Sequence, residues 1–186
     1  MRPPPPLVLG AFYACSEMIL GRARRSKSVD QSRDRHSLTI IWAAITLGVA
    51  GSIVAANNFQ WAAMPYPSLG WIGLALFVSG LGLRWYSIIH LGRFFTVDVS
   101  IAAGQKVVDS GPYRFVRHPS YSGALLAFIG FGLCLRNWVG LLVLLLPIGA
   151  AFLWRMRVEE RALTEALGDD YRWYASRTKR LVPFVY

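Results

Sequence analysis

The sequence predicts an all-α integral membrane protein that forms a single domain over residues 1–186, and three observations support this prediction. Of the 186 residues, 54% are hydrophobic and only 16% are charged, which is unusual for a soluble protein. Four apolar runs approach the roughly 17 to 25 residues that a membrane-spanning helix needs. They cover residues 38–56, 69–91, 119–135 and 138–154, and a shorter run covers residues 7–20. Most Lys and Arg residues lie outside these runs, so we expect about five transmembrane helices.

The first apolar run, residues 7–20, has two interpretations. Arg2 and a short apolar core are typical of a signal peptide, but four consecutive prolines precede the run and no small-residue cleavage site is evident. We therefore expect a retained span. The prolines would form an extended segment before the first helix, because consecutive prolines do not continue as helix.

The basic residues predict how the chain is oriented in the membrane. Six of the 20 Lys and Arg lie in residues 22–36, four in residues 92–118 and seven in residues 155–186. If five helices alternate in direction, these segments share one face, which the positive-inside rule makes cytoplasmic. The N-terminus is then outside and the C-terminus inside. This placement, together with attraction to anionic membrane lipids, explains the net charge of +10 without a nucleic-acid partner.

Two spans carry signals about their surroundings. In the second span Ala44, Gly48 and Ser52 recur every four residues, which predicts a stripe where another helix approaches closely. Arg84 lies near the cytoplasmic end of the third span, and we interpret it as a snorkelling side chain, with a role in a pocket as the alternative. The short turn at residues 136–138 predicts that spans four and five form an antiparallel hairpin.

The polar segments beside the later spans predict a folded cap and a helical extension. Residues 92–118 form a connection too long for a tight turn, and their apolar content favours a folded cytoplasmic cap. Pro119 suits the first turn of the fourth helix. His118 and Tyr121 are three residues apart, so their side chains lie on one side of the N-terminal end of this helix. The fifth helix has no breaker before Gly168, so we expect it to continue out of the bilayer. The predicted organisation of the chain is therefore two N-terminal spans in residues 1–68 and a core in residues 69–186. The core contains the cap at 92–118 and the hairpin at 119–167.

Several common chemistries lack support in this sequence. It contains neither a glycine-rich dinucleotide loop nor a phosphate-binding Gly-Lys-Ser/Thr motif. His36, His90 and His118 are too dispersed for a metal site, and no serine lies in a nucleophile-elbow pattern, so we predict no metal. Both cysteines lie in apolar runs, where we interpret them as packing residues.

The order of the polar motifs resembles that of a known family. The motifs are Val-Val-Asp-Ser-Gly-Pro-Tyr at 107–113, Arg-His-Pro-Ser-Tyr at 117–121, Glu-Glu at 159–160, and then Gly168, Tyr171 and Pro183. Together they resemble the isoprenylcysteine carboxyl methyltransferase family over about residues 70 to 186. The first two spans match only in their hydropathy.

The resemblance implies a membrane enzyme that transfers a methyl group from S-adenosylmethionine to the α-carboxylate of a prenylated cysteine, whose lipophilic part enters from the membrane. It implies Arg155 and Glu159 as the catalytic pair, with Arg155 approaching the substrate carboxylate. The family's longer acidic run is shortened here to two residues, which leaves Arg157 and Glu160 as alternatives. The implied cofactor-binding residues are Gln105, Lys106, Val107, Val108, Tyr113, His118, Pro119, Ser120, Tyr121 and Glu159.

Other functions remain open at this point. Methylation of a phospholipid amine would require a general base, for which Glu160 or His118 is available. The cap could instead bind NADPH in a membrane reductase that saturates a sterol-type double bond, because arginines also suit phosphates. A noncatalytic scaffold would use the polar clusters only as topology signals. Each polar residue also has an ordinary role: His118 could anchor a helix, and the tyrosines could lie in an aromatic belt.

Overall fold

The computed structural model describes residues 4–23, 35–95 and 104–183, and over these ranges the protein is helical with no named strand. The predicted all-α fold is therefore confirmed, and each of the five predicted apolar runs forms a helix. The helices are Pro6–Ala23 (α1), Arg35–Asn58 (α2), Leu69–Leu91 (α3), Pro119–Leu135 (α4), Trp138–Leu167 (α5) and the short Asp169–Arg177 (α6).

Three helical stretches of the described ranges are long and apolar enough to cross a membrane. They are Ser37–Asn58, Leu69–Phe94 and Trp138–Leu167. The fourth helix is equally apolar but has only 17 residues. The structure thus agrees with a membrane protein, while the number of five crossings stays a prediction.

Glycines bring α3 and α4 into backbone contact. Gly73 and Gly80 of α3 face Gly130 and Gly123 of α4, so the two helices run antiparallel. A Cβ built on Gly80 would lie 2.4 Å from the backbone nitrogen of Ala127, and one on Gly130 would lie 2.4 Å from the carbonyl oxygen of Gly73. Only hydrogen fits at these positions, so the pair forms a close-packed unit that places the start of α4 beside the end of α3.

The predicted small-residue stripe of α2 packs against α5. A Cβ on Gly48 would lie 3.2 Å from the carbonyl oxygen of Leu144, and one on Gly140 would lie 2.9 Å from that of Ser52. Ser52 is completely buried. The prediction of close helix approach is confirmed, and α5 is the partner.

The predicted hairpin of α4 and α5 is also confirmed, and it is fastened to the connection before α3. Arg136 adopts a left-handed conformation with φ 52°, and Asn137 caps α5 by accepting from the Gly140 nitrogen at 2.8 Å. The amide nitrogen of Asn137 donates to the Phe59 carbonyl at 2.8 Å, and Met64 donates to the Arg136 carbonyl at 2.7 Å. This end of the molecule is therefore joined by polar contacts as well as packing.

The first helix docks onto α3 and α4. The rings of Tyr13 and Phe128 lie 4.7 Å apart, and Arg84 donates from Nε and Nη2 to the two carboxylate oxygens of Glu17 at 2.6 and 2.7 Å. The Arg84 side chain is only 12% exposed. The snorkelling interpretation of Arg84 is therefore wrong, because the guanidinium stays inside the protein with a carboxylate partner.

We expect Glu17→Leu to lower stability far more than the double substitution Glu17→Leu/Arg84→Leu. Removing one partner of a buried pair leaves an uncompensated charge, at a cost of about 3 kcal/mol or more, whereas replacing both with apolar groups is often close to neutral. Thermal unfolding of the detergent-purified variants measures the difference. Equal losses in the single and double variants would show that the ion pair does not contribute as described.

Candidate active site

The two polar clusters predicted from the sequence meet where the start of α4 lies against the polar extension of α5. Tyr121 donates its hydroxyl to Glu159 Oε1 at 2.5 Å. His118 Nε2 lies 3.1 Å from Glu160 Oε1, and His118 Nδ1 lies 3.6 Å from Glu159 Oε2. The predicted juxtaposition of His118 and Glu159 is confirmed.

Arg155 is held at this cluster by partners on two helices. Its Nε donates to Glu159 Oε1 at 3.1 Å, and its Nη1 donates to the Ser37 hydroxyl at the start of α2. Arg155 is 1% exposed and Ser37 is 3% exposed, whereas the Glu159 side chain is 25% exposed. A cation this deeply buried needs such partners. The arrangement fixes the orientation of the guanidinium and leaves Glu159 as the more accessible group.

Glu160 has a different environment from that of its neighbour Glu159. Its carboxylate accepts from Arg117 Nε at 3.0 Å and Arg180 Nη2 at 2.8 Å, in addition to its contact with His118. The backbone nitrogens of Arg117 and His118 donate to the carbonyls of Lys179 and Arg180 at 2.7 and 3.0 Å. Glu160 therefore fastens the C-terminal segment to the start of α4 and is stabilised as an anion by basic partners.

A cavity of about 690 Å³ opens beside Arg155 and Glu159. This volume lies within the roughly 300 to 1,000 Å³ typical of small-molecule sites. Apolar side chains of α1 and α2, including Leu20, Leu38 and Ile41, form another part of its wall, which Glu17 also lines. The site residues expected from the sequence that line it are Gln105, Lys106, Val107, Val108, Tyr113, His118, Ser120, Tyr121, Arg155 and Glu159. One chamber thus joins a polar end to an apolar wall.

Two residues expected at the site have other positions. Pro119 is buried at the first position of α4, where it starts the helix, and it does not line the cavity. Arg157 is exposed on another face of α5 and opens onto a second cleft. The structure therefore separates Arg155 from Arg157. The apolar cap residues Val97, Val99 and Ile101 lie outside the described residues.

Aromatic side chains support the cap side of the cavity. Tyr113 donates its hydroxyl to the Ser87 carbonyl at 3.3 Å, and Tyr174 of α6 donates to the Tyr113 carbonyl at 2.7 Å. Burial, with smaller contributions from Tyr174 and Glu159, raises the pKa of Tyr113 well above its usual value. Tyr113 therefore stays a neutral hydrogen-bond donor. Gly111, at φ 57°, allows the His90 ring to lie against its backbone.

Three groups have partners that no local pattern in the sequence indicates. Glu17 stands alone as an acid within the first apolar run, Ser37 precedes an apolar run without any motif, and Arg180 is one of several basic residues near the C-terminus. Each reaches its partner across a long stretch of sequence, since Ser37 is 118 residues from Arg155 and Glu17 is 67 residues from Arg84. Helical spacing gives no information about contacts between distant segments.

Comparisons with known proteins identify relatives of the core. The family described as phospholipid methyltransferase matches residues 69–170. Protein-S-isoprenylcysteine O-methyltransferase B of Arabidopsis thaliana is 36% identical over 115 residues, which cover 61% of this chain and 58% of that protein. The protein-S-isoprenylcysteine O-methyltransferase of Schizosaccharomyces pombe is 28% identical over 130 residues, covering 69% and 53%.

A solved structure is similar in fold. The eukaryotic intramembrane Ras methyltransferase, an isoprenylcysteine carboxyl methyltransferase, aligns with a TM-score of 0.60 and 25% identity, over 75% of this chain and 52% of that chain. The chain spans a little over half the length of the relatives named here. The family match includes α3, α4, α5 and the polar clusters at 105–121 and 155–160, but not α1 and α2, which also border the cavity.

Proposed function

Because the chain belongs to the phospholipid methyltransferase family, we propose that it is an S-adenosylmethionine-dependent methyltransferase that methylates the carboxylate of a prenylated cysteine or a related isoprenoid or lipid acceptor. The observation that carries this proposal is the Glu159 carboxylate, shared by Tyr121 and Arg155 at the polar end of the cavity. The similarity to two isoprenylcysteine O-methyltransferases supports the choice of acceptor.

The residues around the cavity fit this cofactor. S-adenosylmethionine supplies an activated methyl group on a positively charged sulfur. Glu159 offers an accessible carboxylate to a cationic ligand, while His118 and Tyr121 pack around it. The cap segment 105–108 also lines the cavity. We assign cofactor binding to these residues together with Tyr113 and Ser120.

Arg155 is the residue that we assign to the acceptor. An acceptor carboxylate is ionised near neutral pH, so the reaction needs neither a nucleophilic side chain nor a strong base. A guanidinium already oriented by Ser37 and Glu159 can bind a carboxylate through paired hydrogen bonds without further loss of side-chain freedom. Orientation of the acceptor and exclusion of water then supply most of the rate.

The apolar wall suits the lipid part of the acceptor. Leu38, Ile41 and Ile45 of α2 line the cavity, together with residues of α1. Such a wall lets a hydrocarbon chain leave the bilayer without exposure to water, which would cost about 0.8 kcal/mol for each CH₂ group. We propose that the prenyl tail lies along this wall and that its carboxylate reaches Arg155. By the positive-inside argument, the cavity and the C-terminus face the cytoplasm.

Methylation of a phospholipid amine is the second candidate, since the matching family carries that description. This reaction needs a base to remove a proton from the amine before attack. Glu160 has three basic partners, and Glu159 already accepts hydrogen bonds from Arg155 and Tyr121. The three basic partners of Glu160 stabilise its anion and so make it a weak base, and the buried arginine favours an anionic acceptor.

Binding and transfer assays on the full chain in detergent test the proposal. We expect saturable binding of S-adenosylhomocysteine by calorimetric titration and no binding of NADPH. Radiolabelled methyl transfer should reach N-acetyl-S-farnesylcysteine, and alkali should release the label as methanol because the product is an ester. The carboxamide of the same compound is the control and should stay unlabelled. Alkali-stable label on phosphatidylethanolamine would favour the second candidate, and NADPH binding without S-adenosylhomocysteine binding would refute both.

A further inference from the structure

A second cleft lies on the face of α5 that points away from the cavity. It has a volume of about 500 Å³ and is lined by Arg157, Glu160, Arg161, Thr164, Glu165 and Arg180. We call it the arginine cleft. Its lining includes three arginines and two glutamates, and it has no part in the methyl-transfer site assigned above.

Two of the cleft's arginines lack an acidic partner among the described residues. Arg157 and Arg161 are exposed, lie one helical turn apart, and form neither an ion pair nor a hydrogen bond within residues 4–23, 35–95 and 104–183. The third, Arg180, binds Glu160, whose charge is also offset by Arg117 and His118. Glu165 supplies one negative charge to the same cleft, so the two positive charges of Arg157 and Arg161 leave it with a net positive charge.

The position of the cleft along α5 matches the lipid headgroup layer. The apolar part of the helix ends at Trp154, a half-exposed residue typical of the membrane interface. With a rise of about 1.5 Å per residue, Arg157 lies about 4.5 Å and Arg161 about 10 Å farther along the helix. The headgroup region adds roughly 5 to 7 Å to each side of the hydrocarbon core. Helical side chains also lean toward the N-terminus, so both arginines reach back toward the bilayer.

We propose that the arginine cleft binds the phosphate of an anionic phospholipid headgroup. Guanidinium groups match phosphate through paired charged hydrogen bonds, and the two arginines one turn apart can contact the same group. Arg180 extends the cleft to the C-terminal segment, and its partner Glu160 contacts His118 in the cavity. A bound lipid would therefore fasten the C-terminal segment at the membrane surface, next to the active site.

Lipid nanodiscs that contain the full chain test this proposal. We expect higher unfolding temperature and retention of phosphatidylglycerol in native mass spectra when that lipid replaces part of the phosphatidylcholine. Arg157→Gln/Arg161→Gln should weaken phosphatidylglycerol retention about 30-fold, since each arginine near the surface contributes roughly a fivefold effect. Its unfolding temperature in pure phosphatidylcholine should equal that of the wild type.

The matched control is Arg114→Gln/Arg172→Gln, which removes the same charge from two exposed arginines outside the cleft. It should retain phosphatidylglycerol like the wild type. Equal losses in the two double variants, or no preference of the wild type for phosphatidylglycerol, would overturn the proposal. The lipid assignment would likewise fail if inorganic phosphate gave the same stabilisation in phosphatidylcholine nanodiscs.

Discussion

Glu159→Gln should weaken S-adenosylhomocysteine binding about 100-fold, whereas Arg155→Ala should chiefly impair use of the acceptor. Loss of one member of a buried, hydrogen-bonded charge pair costs about 2 to 5 kcal/mol in affinity, and about 2.7 kcal/mol corresponds to 100-fold. In the glutamine variant the neutral amide no longer offers a charge to a cationic ligand, but its oxygen can still accept hydrogen bonds from Tyr121 and Arg155. In the Arg155→Ala variant the Glu159 carboxylate remains, but the carboxylate of the acceptor loses the cation that orients it.

Calorimetric titration with S-adenosylhomocysteine and the KM for N-acetyl-S-farnesylcysteine separate these two effects. Arg157→Ala is the matched control, because it removes the same charge from the same helix two residues away, on a face that does not line the cavity. It should show both values near those of the wild type. Unchanged cofactor affinity and turnover in the Glu159 and Arg155 variants would remove both assignments, and a large rise in KM for Arg157→Ala would restore the alternative that the sequence left open.

Gly80→Val should lower the free energy of unfolding by about 3 kcal/mol. A Cβ at this position would lie 2.4 Å from the Ala127 nitrogen and 2.6 Å from the Gly123 carbonyl oxygen, both of which are backbone atoms of α4. Backbone atoms cannot rotate away as side chains do, so α3 and α4 would have to separate. Overpacking of a tight core costs about 1 to 3 kcal/mol and sometimes more. We expect the upper end of that range here, because Gly123 makes the reciprocal contact with α3.

The same helix provides the control for this prediction. A Cβ on Gly82 would meet no heavy atom within 4 Å, so Gly82→Ala should leave stability unchanged or raise it by up to about 1 kcal/mol, since alanine favours helix. Fluorescence-detected size exclusion and thermal unfolding in detergent compare Gly80→Ala, Gly80→Val and Gly82→Ala. Close backbone contact at Gly80 is contradicted if all three variants unfold at the same temperature.

Local patterns in the sequence were sufficient for the helices and for much of the cavity wall. Apolar run length predicted each of the five helices, and the short turn at residues 136–138 predicted the hairpin. The resemblance carried by the motifs at 107–121 and 159–160 is confirmed by the family match and the relatives. These features depend on neighbouring residues or on motifs of fixed order, which a single sequence displays directly.

The unpredicted features are contacts between segments far apart in sequence. Nothing near Arg84 indicates that Glu17 would hold it inside the protein, and nothing near Arg155 indicates Ser37. The ambiguity between Arg155 and Arg157 is of another kind. Residues two apart on an α-helix point about 200° apart, so helical geometry alone places at most one of them at a single site.

The polar contacts of Asn137 and Met64 restrict how the molecule can open. They join the C-terminal end of α2 and the segment before α3 to the turn between α4 and α5. Asn137 donates there to the Phe59 carbonyl at 2.8 Å, and these residues do not line the cavity. Helices tied together at one end can part only by pivoting there. Under the proposed function, the motion that would admit the hydrocarbon chain of the acceptor is smallest at the pivot and grows along the helices toward Arg155.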